Sequence, residues 1–169
     1  MIRPARHADL PAVAALERQS FSRYQLGPRQ LRYLLRRPAH LFLVAVQAGQ
    51  VIAEAIALVR RCQRRLSGRI YTLAVHRNFQ GRGIALKLLK RLLAELAARG
   101  AHRVYLQVQH DNHPAIQLYR RFGFRSLGAL PHYYGRGAHG VHMVHQVAAP
   151  KPFPTSRARP AAAKPKSAT

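Results

Sequence analysis

Acidic residues are scarce in this chain: five Asp plus Glu stand against 29 Lys plus Arg in 169 residues, a formal charge of +24 at pH 7. Such a field draws polyanions, namely nucleotide cofactors, RNA or acidic protein partners, and disfavours polycationic ones. Arg greatly outnumbers Lys and Ala is abundant, as a GC-rich coding sequence also gives, so charge alone does not separate polyanion binding from composition bias. Trp is absent and Cys62 is the single cysteine, which excludes an intrachain disulfide. The core must therefore rest on Leu, Val, Ile and Ala. No run approaches the ~18 consecutive apolar residues of a membrane span. The start, Met1 to His7, lacks the apolar region of a secretory signal. The expectation is a cytoplasmic protein with no membrane association and one domain with a sizeable core.

What is present begins with Gln80-Gly81-Arg82-Gly83-Ile84-Ala85. It follows the apolar run Ile70 to Val75 and precedes the amphipathic run Leu86 to Arg99, which reads as strand, glycine turn, helix. Two glycines at a helix mouth let the backbone approach a ligand without Cβ interference. The first helical N–H groups lack internal partners and sit at the positive end of the macrodipole, which suits a phosphate or pyrophosphate. An ordinary glycine turn into a helix reads the same way.

Along the chain, Ile2 to Pro4 reads as an edge strand and Asp9 as the N-cap of a helix from Leu10 to about Gln19. Phe21 to Leu26 reads as a loop, and Gly27-Pro28 opens a second helix that Pro38 ends. Leu41 to Gln47 and Val51 to Val59 form a hairpin about Ala48-Gly49. Arg60 to Arg69 reads as a basic loop at a solvated hairpin tip, before the strand Ile70 to Val75. The helix after the glycines places Ile84, Leu88, Leu89, Leu92, Leu93 and Leu96 at helical spacing and stops at Gly100. Val104 to Gln109 is a strand, and His113 to Phe122 is a short helix capped by Asp111 or Asn112. Phe124 to Leu127 and Val141 to Val147 are closing strands. From Ala148 onward, Pro, Ala, Lys, Arg, Ser and Thr dominate; this stretch is expected to be disordered. It is either a basic tether for RNA or ribosome or a solubilising tail.

The second informative block is Asn112-His113-Pro114-Ala115-Ile116-Gln117-Leu118-Tyr119-Arg120-Arg121-Phe122-Gly123-Phe124. With Gln80-x-x-Gly83-x-Ala85 before it, the chain resembles the GCN5-related N-acetyltransferase (GNAT) family. The first block is similar to the family's R/Q-x-x-G-x-G/A acetyl-CoA loop, the second to its N-x-x-A-x-x-L-Y-x-x-x-G-F block. Pro131-His132-Tyr133-Tyr134 resembles the paired-tyrosine hairpin of ribosomal-protein-type N-terminal acetyltransferases, where it helps hold a peptide. Paired tyrosines also stabilise hairpins by packing. The resemblance implies an α/β (α+β) fold over residues 1–147: a mixed sheet of about seven strands, splayed at its middle, with about four helices around it.

It also implies roles. Backbone groups at Leu73, Ala74 and Val75 would meet the pantetheine and polarise the thioester carbonyl. Gln80, Gly81, Arg82, Gly83, Ile84 and Ala85 would receive the pyrophosphate, with Asn112, Ala115 and Tyr119 completing the acetyl-CoA site. Tyr119 would be the general acid for the departing thiolate. Tyr133 and Tyr134 would contact a peptide substrate. The sequence departs from the pattern at the base: Gln107 stands where a Glu is common. Glutamine can only hold a water, so a proton would leave through water to His110, His76, Glu54 or bulk solvent. Alternatively, the neutral fraction of an α-amine reacts without a base. His132, His139, His142 and His145 lack the Cys or carboxylate company and spacing of a metal site, and no metal is expected.

The function implied is transfer of an acetyl group from acetyl-CoA to a primary amine, foremost a protein or peptide N-terminus. The alternatives are a basic RNA- or ribosome-binding module with weak catalysis on the same scaffold, and an acetyltransferase for a small amine.

Overall fold

The computed structural model describes residues 1–21, 25–62 and 65–147. The stretch 148–169 and Ser22 to Tyr24, inside the expected loop, lie outside the described residues.

Seven strands form one sheet in the order β1-β2-β3-β4-β5-β7-β6. They are β1 (Ile2–Pro4), β2 (Leu41–Gln47), β3 (Gln50–Cys62), β4 (Arg65–Val75), β5 (Ala101–Gln109), β6 (Arg125–Leu130) and β7 (Gly140–Gln146). Every pairing is antiparallel except β4 with β5. The helices are α1 (Leu10–Ser20), α2 (Pro28–Leu35), α3 (Ile84–Ala98) and α4 (His113–Arg121). One face packs α3 and α4 through Leu88, Leu89, Leu92, Leu96, Ile116 and Tyr119. The other packs α1 and α2 through Leu10, Val13, Leu31 and Leu34. Among the described residues no helix is long and apolar enough to cross a membrane.

Several boundaries differ from the sequence reading for physical reasons. Asp9 does not cap α1: its own backbone is helical, and its carboxylate reaches back to Arg6 N at 2.7 Å and to the Arg3 guanidinium at 2.7 and 2.9 Å. The competing guanidinium won the carboxylate that the cap would have used. Much of the basic stretch Arg60 to Arg69 is strand, because β3 runs on to Cys62 and β4 starts at Arg65. Register pairs such as Arg60↔Ser67 and Val59↔Gly68 take this stretch into the antiparallel ladder, which satisfies its backbone whatever the side chains carry. Likewise β5 starts at Ala101, and β6 starts at Arg125 and reaches Leu130. Helix α2 stops at Leu35 before Pro38, and α4 at Arg121.

The central pairing sets up the site. Strands β4 and β5 are joined only from Leu66↔Ala101 to Arg69↔Tyr105. Beyond that, Ile70 to Val75 pairs with β3 alone and Leu106 to Gln109 with β7 alone. The sheet parts there. A bulge lies at the divergence: Ala57 pairs with Ile70 but Ile56 with Thr72, leaving Tyr71 as the extra residue. Bulges bend and twist the strand that carries them. This one also resets the side-chain alternation, so that Ile70 faces α3 while Thr72 reaches Glu17 of α1.

Candidate active site

Which backbone groups face the opening follows from the ladder. His76 N–H donates to Ile52 O at 2.8 Å. Antiparallel hydrogen-bonded pairs recur every second residue, so Ala74 and Thr72 spend their N–H and C=O on β3. Leu73 and Val75 turn theirs the other way, into the gap left by β5. Gln80 Nε2 donates to Val75 O at 3.1 Å from that open side, as this geometry requires. The Gln80 side chain thus ties the glycine turn to the end of β4.

Gly81 and Gly83 have φ of 72° and 73°, in the left-handed region where a Cβ costs ~1–2 kcal/mol. A Cβ built on either would meet nothing within 4 Å, so the space in front of the turn is open. Gly83 is the N-cap of α3 and no side chain caps that end, leaving the first-turn N–H groups turned outward. Arg82 is exposed, its guanidinium 5.2 Å from the Phe79 ring centroid. Ile84 and Ala85 open the helix, half-buried.

Across the gap, Asn112 Oδ1 accepts from Ala115 N at 3.2 Å and caps α4, as the sequence allowed. Ala115 and Tyr119 lie four residues apart, on one helix face. Tyr119 is buried, its ring 5.6 Å from Phe124. Burial, and secondarily the nearby Tyr134, push its phenol well above the ordinary tyrosine range, so it stays protonated. Tyr134 stands edge-on to Tyr133, centroids 5.0 Å apart. The structure therefore brings Tyr119 and the tyrosine hairpin to one place. Gln107 sits half-buried in the half of β5 that has parted from β4, opposite His142 of β7.

Glu54 fails as a proton outlet. It is fully buried and its carboxyl is raised well above the ordinary range, first by burial and then by Glu17 beside it. That shift favours the protonated acid, the wrong direction for accepting a further proton. Thr72 Oγ1 lies 2.8 Å from Glu17 Oε1 and 3.3 Å from Glu54 Oε1, while Glu17 Oε2 accepts from Leu26 N at 2.8 Å. This cluster fastens the segment between α1 and α2 to the bulged strand.

Three residues escaped the sequence reading. Arg69, at the last β4–β5 pair, donates to Tyr133 Oη at 3.0 Å, and its guanidinium stands 5.8 Å from the Tyr71 ring. Tyr71 in turn accepts from Gln30 Nε2 at 2.8 Å. Gly140 packs against the hairpin, where a Cβ would come within 3.1 Å of the Tyr134 ring. Arg69 was hidden inside a charge run, and Gly140 has no motif around it.

A mixed sheet opened between its two parallel strands, with a glycine turn and an uncapped helix mouth at the opening, is the architecture of an acyl-transferring α/β enzyme. The chain belongs to the acetyltransferase (GNAT) family, whose model matches residues 10–124, and is thereby an acetyl-CoA-dependent N-acetyltransferase. It is 32% identical over 131 residues to an acetyltransferase of Pectobacterium atrosepticum, covering 76% of this chain and 90% of that one. A solved ribosomal-protein-alanine N-acetyltransferase of Brucella melitensis is 26% identical with a TM-score of 0.75, covering 86% of this chain and 99% of that one. Arabidopsis thaliana NAA60, solved in complex with acetyl-CoA, shares the fold at a TM-score of 0.79 and 21% identity, over 87% of this chain and 98% of that one. Among the described residues no group of His, Cys, Asp and Glu could hold a metal ion.

Proposed function

We propose that residues 1–147 form a catalytic unit that acetylates the α-amine of a protein or peptide N-terminus, of the ribosomal-protein kind. The observation that carries this is the meeting of the unpaired β4 edge, the buried Tyr119 and the Tyr133-Tyr134 hairpin at one opening. A chain end can enter between the hairpin and β4, whereas a small amine would need no such hairpin. The Brucella melitensis relative, named for its action on a ribosomal-protein alanine, supports the same acceptor class.

Acetyl-CoA fits the residues present. The outward N–H groups around Gly81 to Ala85 would hold its pyrophosphate, and Leu73 and Val75 would bond the pantetheine amides. Bound there, the cosubstrate supplies an activated acetyl thioester. Leu73 and Val75 N–H groups polarise its carbonyl. Tyr119, kept protonated by burial, gives its proton to the sulfur. Gln107 orders a water beside the amine. No base is required to make the amine neutral, since an α-amine with a reference pKa near 8 is appreciably neutral at pH 7. The proton its nitrogen sheds as the C–N bond forms would leave through that water and balance the one Tyr119 gives to the sulfur.

The test is an acceptor panel: short peptides with a free α-amine, the same peptides Nα-blocked but with a free lysine, and small polyamines, each with acetyl-CoA and thiol detection. Only the free α-amine series should release CoA, with the acetyl group on the first residue by mass spectrometry. Turnover confined to lysine or polyamines would overturn the reading. Tight acetyl-CoA binding with no turnover, and RNA bound with a steep salt dependence, would favour the nucleic-acid-binding module.

A further inference from the structure

Every side-chain carboxylate of this chain has its place. Asp9 binds Arg3 and Glu95 binds Arg91, Glu17 and Glu54 are buried, and Asp111 lies in the turn after β5. The ion pairs among the described residues are those two, so none involves α2. Yet Arg29, Arg32, Arg36 and Arg37 stand exposed on α2 and the turn that ends it. Residues 29, 32 and 36 share one helix stripe, where like charges three and four apart repel. Arg29 also sits in the first turn, the end of the macrodipole that favours anions rather than cations. Among the described residues Arg32 donates to Pro28 O at 3.2 Å and Arg37 stands over the Tyr33 ring at 4.7 Å, but no carboxylate pairs with any of the four.

These arginines line a groove. A cavity of about 330 Å³ is walled by all four and Tyr33. It shares Arg29 and Tyr33 with a second of about 450 Å³ that Gly27 and Gln30 complete. From Gln30 the contacts continue without a break: Gln30 donates to Tyr71, the Arg69 guanidinium stands 5.8 Å from the Tyr71 ring, and Arg69 donates to Tyr133 of the hairpin. A series of side-chain contacts thus links the basic groove to the rim of the active-site opening.

Resting on the N-terminal reading above, we propose that the α2 groove holds an acidic segment of the acceptor polypeptide, downstream of the amine that is acetylated. Guanidinium forks match carboxylates in paired hydrogen bonds. An extended chain can occupy both places at once, its amine in the opening and its acidic residues across α2. RNA fits less well. The groove offers a single aromatic ring, Tyr33, with Arg37 over one of its faces at 4.7 Å, so successive bases find no row of rings to stack on, whereas four guanidiniums stand ready for carboxylates.

The experiment compares kcat/KM for peptides that share their first residues and continue with Asp/Glu-rich, Asn/Gln-rich or Lys-rich segments. The acidic series should exceed the neutral one by about 10-fold, mostly through KM, an effect the size of several exposed ion pairs acting together. The advantage should shrink as salt is raised. In a fourfold variant, R29S/R32S/R36S/R37S, with folding checked by its melting curve, the acidic series should fall to the neutral one. Equal rates for acidic and neutral peptides in the wild type would overturn the groove while leaving N-terminal acetylation standing. So would a preference that survives in the variant. If the variant instead loses RNA binding with peptide rates unmoved, the groove is a nucleic-acid surface. Failure of every peptide, with acetyl-CoA still bound, would overturn both readings together.

Discussion

Tyr119 meets two requirements of a proton donor in the proposed reaction: its phenol is held protonated by burial, and it stands where the hairpin and the open strand converge. Replacing it by Phe removes the proton and little volume. We expect kcat for Tyr119→Phe to fall ~10²-fold or more while acetyl-CoA affinity holds, as stopped-flow binding beside steady-state rates would report. Unchanged kcat would take the acid role away from this residue. Glu54 gives a second, thermodynamic test. Its carboxyl is raised in the folded protein, so the native state keeps a proton that the unfolded chain loses above about 4.5. Stability from this group is full below that pH and declines as pH rises toward the folded value, by up to ~1.4 kcal/mol per unit. The neutral isostere has no such slope. E54Q should match the wild type near pH 5 and melt higher than it near pH 8. A melting difference independent of pH would contradict the buried-acid picture.

Among the elements, the glycine turn and the cap of α4 were plain from local signals. Gly83 precedes a leucine stripe, and Asn112 stands three residues before the N–H it accepts. Cap chemistry acts within one turn, so it is written in neighbouring residues. The hairpin is different. Tyr133 and Tyr134 could be picked out, but the residues that hold them, Arg69 and Gly140, come from β4 and the start of β7. A methyl at position 140 would press on the Tyr134 ring and the Tyr133 Cβ, at 3.1 and 3.4 Å. Gly140→Ala should therefore raise KM for peptide several-fold, leave KM for acetyl-CoA near its wild-type value, and cost about 1 kcal/mol of stability. Initial rates with each substrate varied in turn, and a urea midpoint, check this. Equal changes in both KM values would mean that the hairpin shapes the whole opening rather than its acceptor side.

At the scale of the molecule, order along the chain and the spacing of apolar residues gave the succession of strands and the leucine-rich helix, and the two blocks marked the family, whose resemblance implied the mixed sheet. Those properties depend on period and on nearest neighbours, which a linear sequence carries in full. Asp9 shows where this ends: a good capping residue went instead to Arg3, a partner set by how β1 meets α1. The basic run Arg60 to Arg69 shows it again, because pairing between distant backbones made strand of what charge marked as loop. The parting of β4 from β5 was expected through the family resemblance, but the bulge at Tyr71 and the contacts from α2 to Tyr133 were decided only by the tertiary structure. Each is a relation between elements far apart in the chain, fixed by packing and register rather than by any residue's own preference.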